Sequence, residues 1–142
     1  MALLGTTDAS AGFAVGEYGE QSSRVQAVVD MWGPADLTVD FAGGYAAKLE
    51  VFSGVDPAVA SPVTWVSPDD PPFFLIHGAN DPLVPLSQSQ ELLARLQGAG
   101  VAASLLVVAN AGHGLVPSGG TPSPSRAEVT RRIVEFFREQ LQ

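Results

Sequence analysis

The stretch that decides the fold runs from Phe73 to Pro85 and reads F-F-L-I-H-G-A-N-D-P-L-V-P. Its first four residues are apolar and directly follow the turn-forming residues 69–72, D-D-P-P. A short apolar run behind a turn signal predicts a strand that is buried on both faces. The polar loop beyond the strand carries Asp81, and a helix begins after the loop. This order of strand, loop and helix is typical of half a βαβ unit.

A second copy of this pattern follows along the chain. Residues 101–108 are predicted to form a strand, and the loop A-N-A-G-H-G after it carries His113. In open α/β sheets, functional groups lie beyond the carboxyl ends of the strands. We therefore expect Asp81 and His113 to lie at the same edge of the sheet, where the carboxyl ends of the strands meet. Glycines on both sides of His113 leave its ring accessible, as a proton-transfer base requires. His77, at a strand end, is predicted to be structural and hydrogen-bonded to nearby backbone.

The remaining segments complete a predicted α/β fold with three parallel strands, crossover helices and a C-terminal helix. Residues 25–31 supply the first strand. Residues 87–97 form an amphipathic helix that begins with a capping box of Ser87 and Gln90. A second capping box, Ser125 with Glu128, begins the C-terminal helix, which packs on one face of the sheet. The crossovers are expected to be right-handed.

The chain is predicted to form a single domain over residues 1–142, a length that can bury a sizeable core. Within it, residues 1–7 are predicted to be a short helical segment capped by Gly5, and residues 8–23 a flexible loop rich in glycine and serine. Residues 24–142 are expected to contain the α/β core.

Composition excludes several classes of function. The formal net charge is −8 and there is only one lysine, which argues against binding to nucleic acid or to an anionic membrane. The absence of cysteine excludes disulfides, a thiol nucleophile and a zinc–thiolate site. Two separated histidines are too few for a metal cluster, so we expect no metal and no cofactor. The sequence has no apolar run of membrane-spanning length and no signal peptide, so we expect a cytoplasmic protein.

The segment from His77 to Pro85, with N-A-G-H-G about 30 residues after Asp81, resembles the C-terminal part of an α/β-hydrolase. It is most similar to the esterase/lipase branch, which includes feruloyl-esterase-like and hormone-sensitive-lipase-like enzymes. The segments V-Q-A-V-V-D-M-W-G-P-A-D-L (25–37) and S-P-V-T-W-V-S-P-D-D-P-P (61–72) extend the resemblance over most of residues 24–115. The resemblance implies that Asp81 orients His113, that His113 activates a serine, and that the substrate is a small carboxylic ester.

Several parts of the family pattern are absent from the sequence. There is no G-x-S-x-G nucleophile elbow and no H-G-G oxyanion loop, and the first five strands of the family sheet have no counterpart. Residues 1–5, M-A-L-L-G, are similar to the end of the helix that follows the nucleophile in the family. The resemblance therefore implies an α/β-hydrolase portion that lacks the N-terminal half and its elbow.

The nucleophile is left open between a water molecule and a serine outside an elbow. Ser10 lies in D-A-S-A-G, which superficially resembles an elbow, but it has no strand before it and no helix after it, so a loop is favoured. The other serines considered are Ser22, Ser23, Ser61 and Ser67. Three functions stay open: an esterase based on Asp81 and His113, an inactive folded module that self-associates, and one half of a split enzyme.

Strand 25–31 raises a separate question, because its family partner is the strand that delivers the nucleophile. Without that partner, one long apolar edge of the sheet is open, and such an edge favours association. We expect two copies of the chain to pair antiparallel through this edge in a two-fold homodimer. The alternative is that the N-terminal loop covers the edge.

Overall fold

The computed structural model describes residues 1–8, 11–13, 15–40 and 54–142. Its parallel sheet contains β1 (Val28–Met31), β2 (Phe73–Gly78) and β3 (Ala103–Val108), in the spatial order β1-β2-β3. The described helices are α1 (Ala2–Thr6), α2 (Pro62–Trp65), α3 (Leu86–Gly98) and α4 (Arg126–Gln140), with a 3-10 turn at His113–Leu115. The predicted α/β fold, with three parallel strands and a C-terminal helix, is confirmed.

Strand β2 is the centre of the sheet, and all six of its residues are buried. Phe73 lies beside Val28 of β1 and Ala103 of β3, which fixes the register of the sheet. A strand with a neighbour on each side and helices over both faces has no polar face, which explains why its sequence is continuously apolar rather than alternating.

Successive side chains of β2 point to opposite faces and enter two separate hydrophobic clusters. Phe73 and Leu75 pack with residues of α1 and α3, among them Leu92 and Leu96. Phe74 and Ile76 pack on the other face with Val108, Leu115 and Val129, and the rings of Phe74 and Phe136 have centroids 5.7 Å apart. Burial of each large apolar side chain stabilises the fold by about 1.5–3 kcal/mol. The sheet is therefore held between two layers that contain helices.

The helix starts agree only partly with the predicted capping boxes. Ser125 precedes α4, and its hydroxyl accepts a hydrogen bond from the backbone N–H of Glu128 at 3.3 Å, which is one half of the predicted box. The carboxylate of Glu128 bonds to Arg131 and Arg132. The predicted box of Ser87 and Gln90 is wrong, because α3 begins at Leu86 after Pro85 and has no side-chain cap. Proline already fixes the backbone angle that a helix start requires, so the helix begins before Ser87.

Gly5 does not end the first helix, as the sequence predicted, but lies within α1. A Cβ atom at Gly5 would lie 2.5 Å from Cγ2 of Val28 and 2.7 Å from Cζ of Phe73. These separations are far below van der Waals contact, so glycine is needed for α1 to pack closely on β1 and β2.

One edge of β1 pairs with β2, and no strand among the described residues pairs with its other edge. No helix in the described ranges is long and apolar enough to cross a membrane.

The substitution Gly5→Ala is expected to lower the free energy of unfolding by about 1–3 kcal/mol, because the added methyl group overpacks the contact with Val28 and Phe73. Gly98→Ala is the matched control, since no atom lies within 4 Å of a Cβ there. That change is expected to raise stability by up to about 1 kcal/mol, because alanine favours a helix more than glycine does. Urea unfolding of both variants measures the effect, and equal stabilities would contradict the close approach of α1.

Candidate active site

The loop after β2 holds the side chain of Asp81 in a fixed orientation. One carboxylate oxygen, Oδ1, accepts hydrogen bonds from the backbone N–H groups of Leu83 at 2.8 Å and Val84 at 3.0 Å. The other oxygen, Oδ2, lies 2.9 Å from Nδ1 of His113. The Asp81 side chain is fully buried, so these donors replace water around the carboxylate.

His113 comes from the loop after β3 and opens the 3-10 turn. Gly114 follows it with φ 67°, a left-handed conformation that glycine adopts without strain. Because a carboxylate only accepts hydrogen bonds, Nδ1 of His113 carries the hydrogen and Nε2 of the neutral ring is left as a proton acceptor. The His113 side chain is 35% exposed, whereas its partner Asp81 is completely buried. The structure thus brings together the two residues that the sequence placed at one edge of the sheet.

The two loops can meet because of a glycine at the end of β2. A Cβ atom at Gly78 would lie 2.5 Å from the carbonyl oxygen of Ala111 and 2.6 Å from that of Gly112. The backbone N–H of Asn80 also donates to the carbonyl of Ala111 at 2.8 Å. The sequence shows a glycine here, but nothing local to it indicates this contact with the next strand's loop.

His77 is completely buried beneath this site. Its Nε2 lies 2.8 Å from the carbonyl oxygen of Val84, which can only accept, so Nε2 carries the hydrogen. Its Nδ1 therefore accepts from the hydroxyl of Ser89, 2.7 Å away. The predicted backbone hydrogen bond of His77 is present, whereas the contribution of Ser89 from α3 was missed.

His77 also helps to define the surroundings of Asp81. It is bonded to the carbonyl of Val84, and the N–H of Val84 donates to Asp81. In addition, Nε2 of His77 lies 3.5 Å from Oδ2 of Asp81. The turn that carries Asp81 is therefore fixed from below by a histidine and a serine that do not themselves reach the open side of the site.

Two further side chains contact the His113 loop, and neither was singled out from the sequence. Trp32, directly after β1, has its ring centroid 6.1 Å from that of His113, with the ring planes 66° apart. Arg126, the first residue of α4, donates a hydrogen bond to the carbonyl oxygen of Gly114. The only sequence signal for Trp32 is its position directly after a strand, in Trp-Gly-Pro.

A second buried acid lies at the same end of the sheet. Asp30 of β1 is only 4% exposed. Burial raises the pKa of Asp30, and the amino terminus and hydrogen bonds from the backbone of Ala2 and Gly33 partly oppose that rise. A Cβ atom at Gly33 would lie 2.8 Å from Oδ1 of Asp30, so the chain after β1 packs directly against this carboxylate.

The structure removes four serines from the list of candidate nucleophiles. Ser67 precedes β2 and bonds to Asp69 and Asp70, and Ser22 and Ser23 precede β1, so all three lie at the opposite ends of the strands from His113. Ser61 is completely buried, donating to the carbonyl of Pro57 at 2.6 Å and accepting from the N–H of Leu37 at 2.8 Å.

Ser10 lies outside the described residues. Within the described ranges, no hydroxyl group hydrogen-bonds to Nε2 of His113, and no cluster of three or more histidine or acidic side chains could hold a metal ion.

Residues 1–96 match the protein family BD-FAE, so the chain belongs to the BD-FAE family. The chain is 46% identical over 55 residues to Esterase LipQ of Mycobacterium tuberculosis, an alignment that covers 38% of this chain and 13% of that protein. It is 34% identical over 91 residues to Probable carboxylic ester hydrolase LipM of the same organism, covering 56% of this chain and 21% of LipM.

Solved structures give the same classification of the fold. A truncated form of a carbohydrate esterase from gut microbiota superposes with a TM-score of 0.79 at 27% identity, covering 98% of this chain and 54% of that one. Thermogutta terrifontis esterase 2 with bound propionate shares the fold, with a TM-score of 0.64 at 22% identity and coverage of 83% and 44%. The chain is therefore an esterase-like α/β-hydrolase portion. It spans at most about a fifth of these two curated relatives and about half of these solved chains.

The substitution Ser89→Ala is expected to lower the free energy of unfolding by about 1–3 kcal/mol, because it leaves Nδ1 of the buried His77 without a donor. Ser87→Ala, on the exposed side of the same helix, is the matched control, with an expected change within about 0.5 kcal/mol. Both variants gain the same helix propensity, so the difference between their unfolding curves isolates the hydrogen bond. Equal curves would show that Ser89 does not stabilise His77.

Proposed function

We propose that Asp81 and His113 are the catalytic proton-transfer pair of a carboxylic ester hydrolase. The observation that carries the proposal is the 2.9 Å hydrogen bond between the buried carboxylate of Asp81 and Nδ1 of the partly exposed His113. A buried acid that fixes the tautomer of an accessible histidine is the arrangement that serves acyl transfer. Membership of the BD-FAE family and similarity to proteins named as esterases support the same reaction class.

In the proposed reaction, Nε2 of His113 takes the proton of the attacking hydroxyl group as the oxygen adds to the acyl carbon of the ester. Asp81 keeps the ring in place and stabilises the imidazolium that forms. The imidazolium then returns the proton to the departing alkoxide, which leaves as the alcohol. When the attacking group is water, one ester and one water yield one carboxylic acid and one alcohol.

The attacking group is proposed to be a water molecule or a serine outside an elbow, such as Ser10. A water molecule is favoured over the described hydroxyl groups, because none of those bonds to Nε2 of His113. The proposed substrates are short acyl esters of small alcohols or phenols, in keeping with the esterase names of the relatives.

Hydrolysis of p-nitrophenyl acetate by the purified chain tests this function. His113→Gln and Asp81→Asn are each expected to lower kcat/KM by about 100-fold or more, the usual contribution of a positioned base. The matched control is Asp69→Asn, an exposed acid that pairs with Arg24 at the opposite end of the sheet. That variant is expected to retain the wild-type rate.

If all four proteins hydrolyse the ester equally slowly, Asp81 and His113 do not catalyse the reaction. The alternative is then a catalytically inactive module, or one half of a split enzyme. The absence of a hydroxyl group at Nε2 of His113 among the described residues is the observation that favours this alternative. A split enzyme would gain activity when mixed with a separately expressed N-terminal half of a BD-FAE esterase, whereas an inactive module would not.

We also propose that the open edge of β1 pairs with the same edge of a second copy, forming a homodimer with a continuous sheet. The N–H groups of Val28 and Trp32 donate to the carbonyls of Pro72 and Ile76, at 2.9 and 2.8 Å. Because inward and outward hydrogen bonding alternates along a strand, the N–H groups of Val29 and Met31 point away from β2. An isologous, antiparallel contact would satisfy those groups on both copies.

The substitution Val29→Pro is expected to convert a dimer to a monomer in sedimentation velocity, because proline removes one outward N–H group without breaking the pairing of β1 with β2. Val29→Thr has a similar shape and keeps the N–H group, so it is expected to remain dimeric. A wild-type protein that sediments as a monomer at all concentrations would exclude the homodimer.

A further inference from the structure

Trp32 has an unusual backbone conformation directly beside the proposed catalytic histidine. Its φ is 48°, in the left-handed region that bulky residues rarely occupy. The N–H of Trp32 donates to the carbonyl of Ile76 at 2.8 Å, and the next residue, Gly33, packs against the buried carboxylate of Asp30. Contacts on both sides of Trp32 therefore impose the conformation. Glycine would occupy this position with less strain, so the indole ring must contribute something that glycine cannot.

The indole ring lies against His113. The two ring centroids are 6.1 Å apart, and the ring planes are inclined at 66°, an edge arrangement that aromatic pairs favour. Trp32 also packs against the cluster that contains Ile76, Val108 and Leu115. The indole is therefore held by the core and packs against the imidazole ring of His113.

The single hydrogen bond to Asp81 does not by itself fix the plane of the His113 ring, so a packed neighbour contributes to its orientation. Among the described residues, the ring makes one hydrogen bond, from Nδ1 to Asp81, and the residues on both sides of His113 are glycines without side chains. Rotation about the bond that joins an imidazole ring to its Cβ is only weakly restricted by the torsion itself. If the hydrogen bond were the only restraint, the ring could rotate about its bond to Cβ and move Nε2 away from the substrate.

We propose that Trp32 is a positioning residue that holds the imidazole of His113 with Nδ1 on Asp81 and Nε2 toward the open side of the site. The catalytic consequence of this contact rests on the function proposed above, whereas the contact itself does not. Strain in the backbone at Trp32 is the cost of placing an indole ring, rather than a hydrogen atom, at the carboxyl end of β1.

The key variant is Trp32→Gly, because glycine accepts the left-handed backbone and removes only the ring. Trp32→Phe is the conservative variant, since it keeps an aromatic ring at the same place. Exchange of the Nδ1–H proton of His113 with water, followed by NMR, reports on the orientation of the imidazole. We expect Trp32→Gly to accelerate that exchange by about tenfold or more, and Trp32→Phe to restore most of the protection.

The ring N–H of His77 supplies an internal control, because it is completely buried and bonded to Val84. Its exchange is expected to stay at the wild-type rate in both variants if they remain folded. Faster exchange at both histidines of Trp32→Gly would report general loosening of the fold, in which case the Trp32→Phe variant decides. Unchanged exchange at His113 in a folded Trp32→Gly protein would overturn the proposal.

Kinetics distinguish this proposal from the proposed function. With an active esterase, Trp32→Gly is expected to lower kcat by about tenfold with little change in KM, because a misplaced base affects the chemical step. An increase in KM alone, with unchanged exchange at His113, would assign Trp32 to substrate contact and overturn the positioning role. If the wild-type protein hydrolyses no ester, the proposed function fails, and the exchange of the His113 proton still decides whether Trp32 holds the ring.

Discussion

The close approach of the chain after β3 to the end of β2 is the constraint on which the site depends. The carbonyl oxygens of Ala111 and Gly112 lie where any side chain at position 78 would have to be. This approach brings two consecutive loops of a parallel sheet within hydrogen-bond distance, although Asp81 and His113 are 32 residues apart in the chain. Hydrophobic packing on both faces of β2 holds the strands rigidly enough for this contact to persist.

Burying the carboxylate of Asp81 is costly unless its oxygens are supplied with donors. The turn at residues 81–84 supplies two backbone N–H groups, and His113 supplies a third donor. His77 and Ser89 lie beneath that turn, and no buried side-chain polar atom in the described ranges lacks a partner. A network satisfied at every member favours one geometry strongly, so the carboxylate is prepared in advance to orient an imidazole rather than being rearranged by a ligand.

The sequence predicted the three parallel strands and the meeting of Asp81 with His113, because these follow from apolar runs and from the position of polar residues at strand ends. The family was predicted from the resemblance of the quoted motifs. It did not predict features that arise from contacts between distant segments. Gly5 was expected to end a helix, since glycine commonly does so. Its actual role depends on tertiary contacts with Val28 and Phe73, which the local sequence does not reveal. The helix begins at Leu86, directly after Pro85, and not at the expected cap Ser87. This start could have been recognised from the sequence, because proline is common at the beginning of helices.

The candidate serines and Trp32 show what else could and could not be predicted from the sequence. Chain position alone could not exclude Ser61, whose hydroxyl is occupied by Pro57 and Leu37, two segments brought together only by folding. Ser67 could have been excluded from the rule that functional groups follow strands rather than precede them. The positive φ of Trp32 has no signature in its residue type, because a tryptophan is rarely found in that region of backbone space.

The hydrogen bond from Arg126 to the carbonyl of Gly114 has a consequence for motion in the protein. It joins the first turn of α4 to the loop that carries His113, and the same helix packs on β2 through Phe136. Movement of the start of α4 would be transmitted to this loop, which is also held by the hydrogen bond from the N–H of Asn80 to the carbonyl of Ala111. The two residues of the pair are thus supported differently, because Asp81 is held by the backbone of its own turn, whereas the loop of His113 is also tied to the last helix.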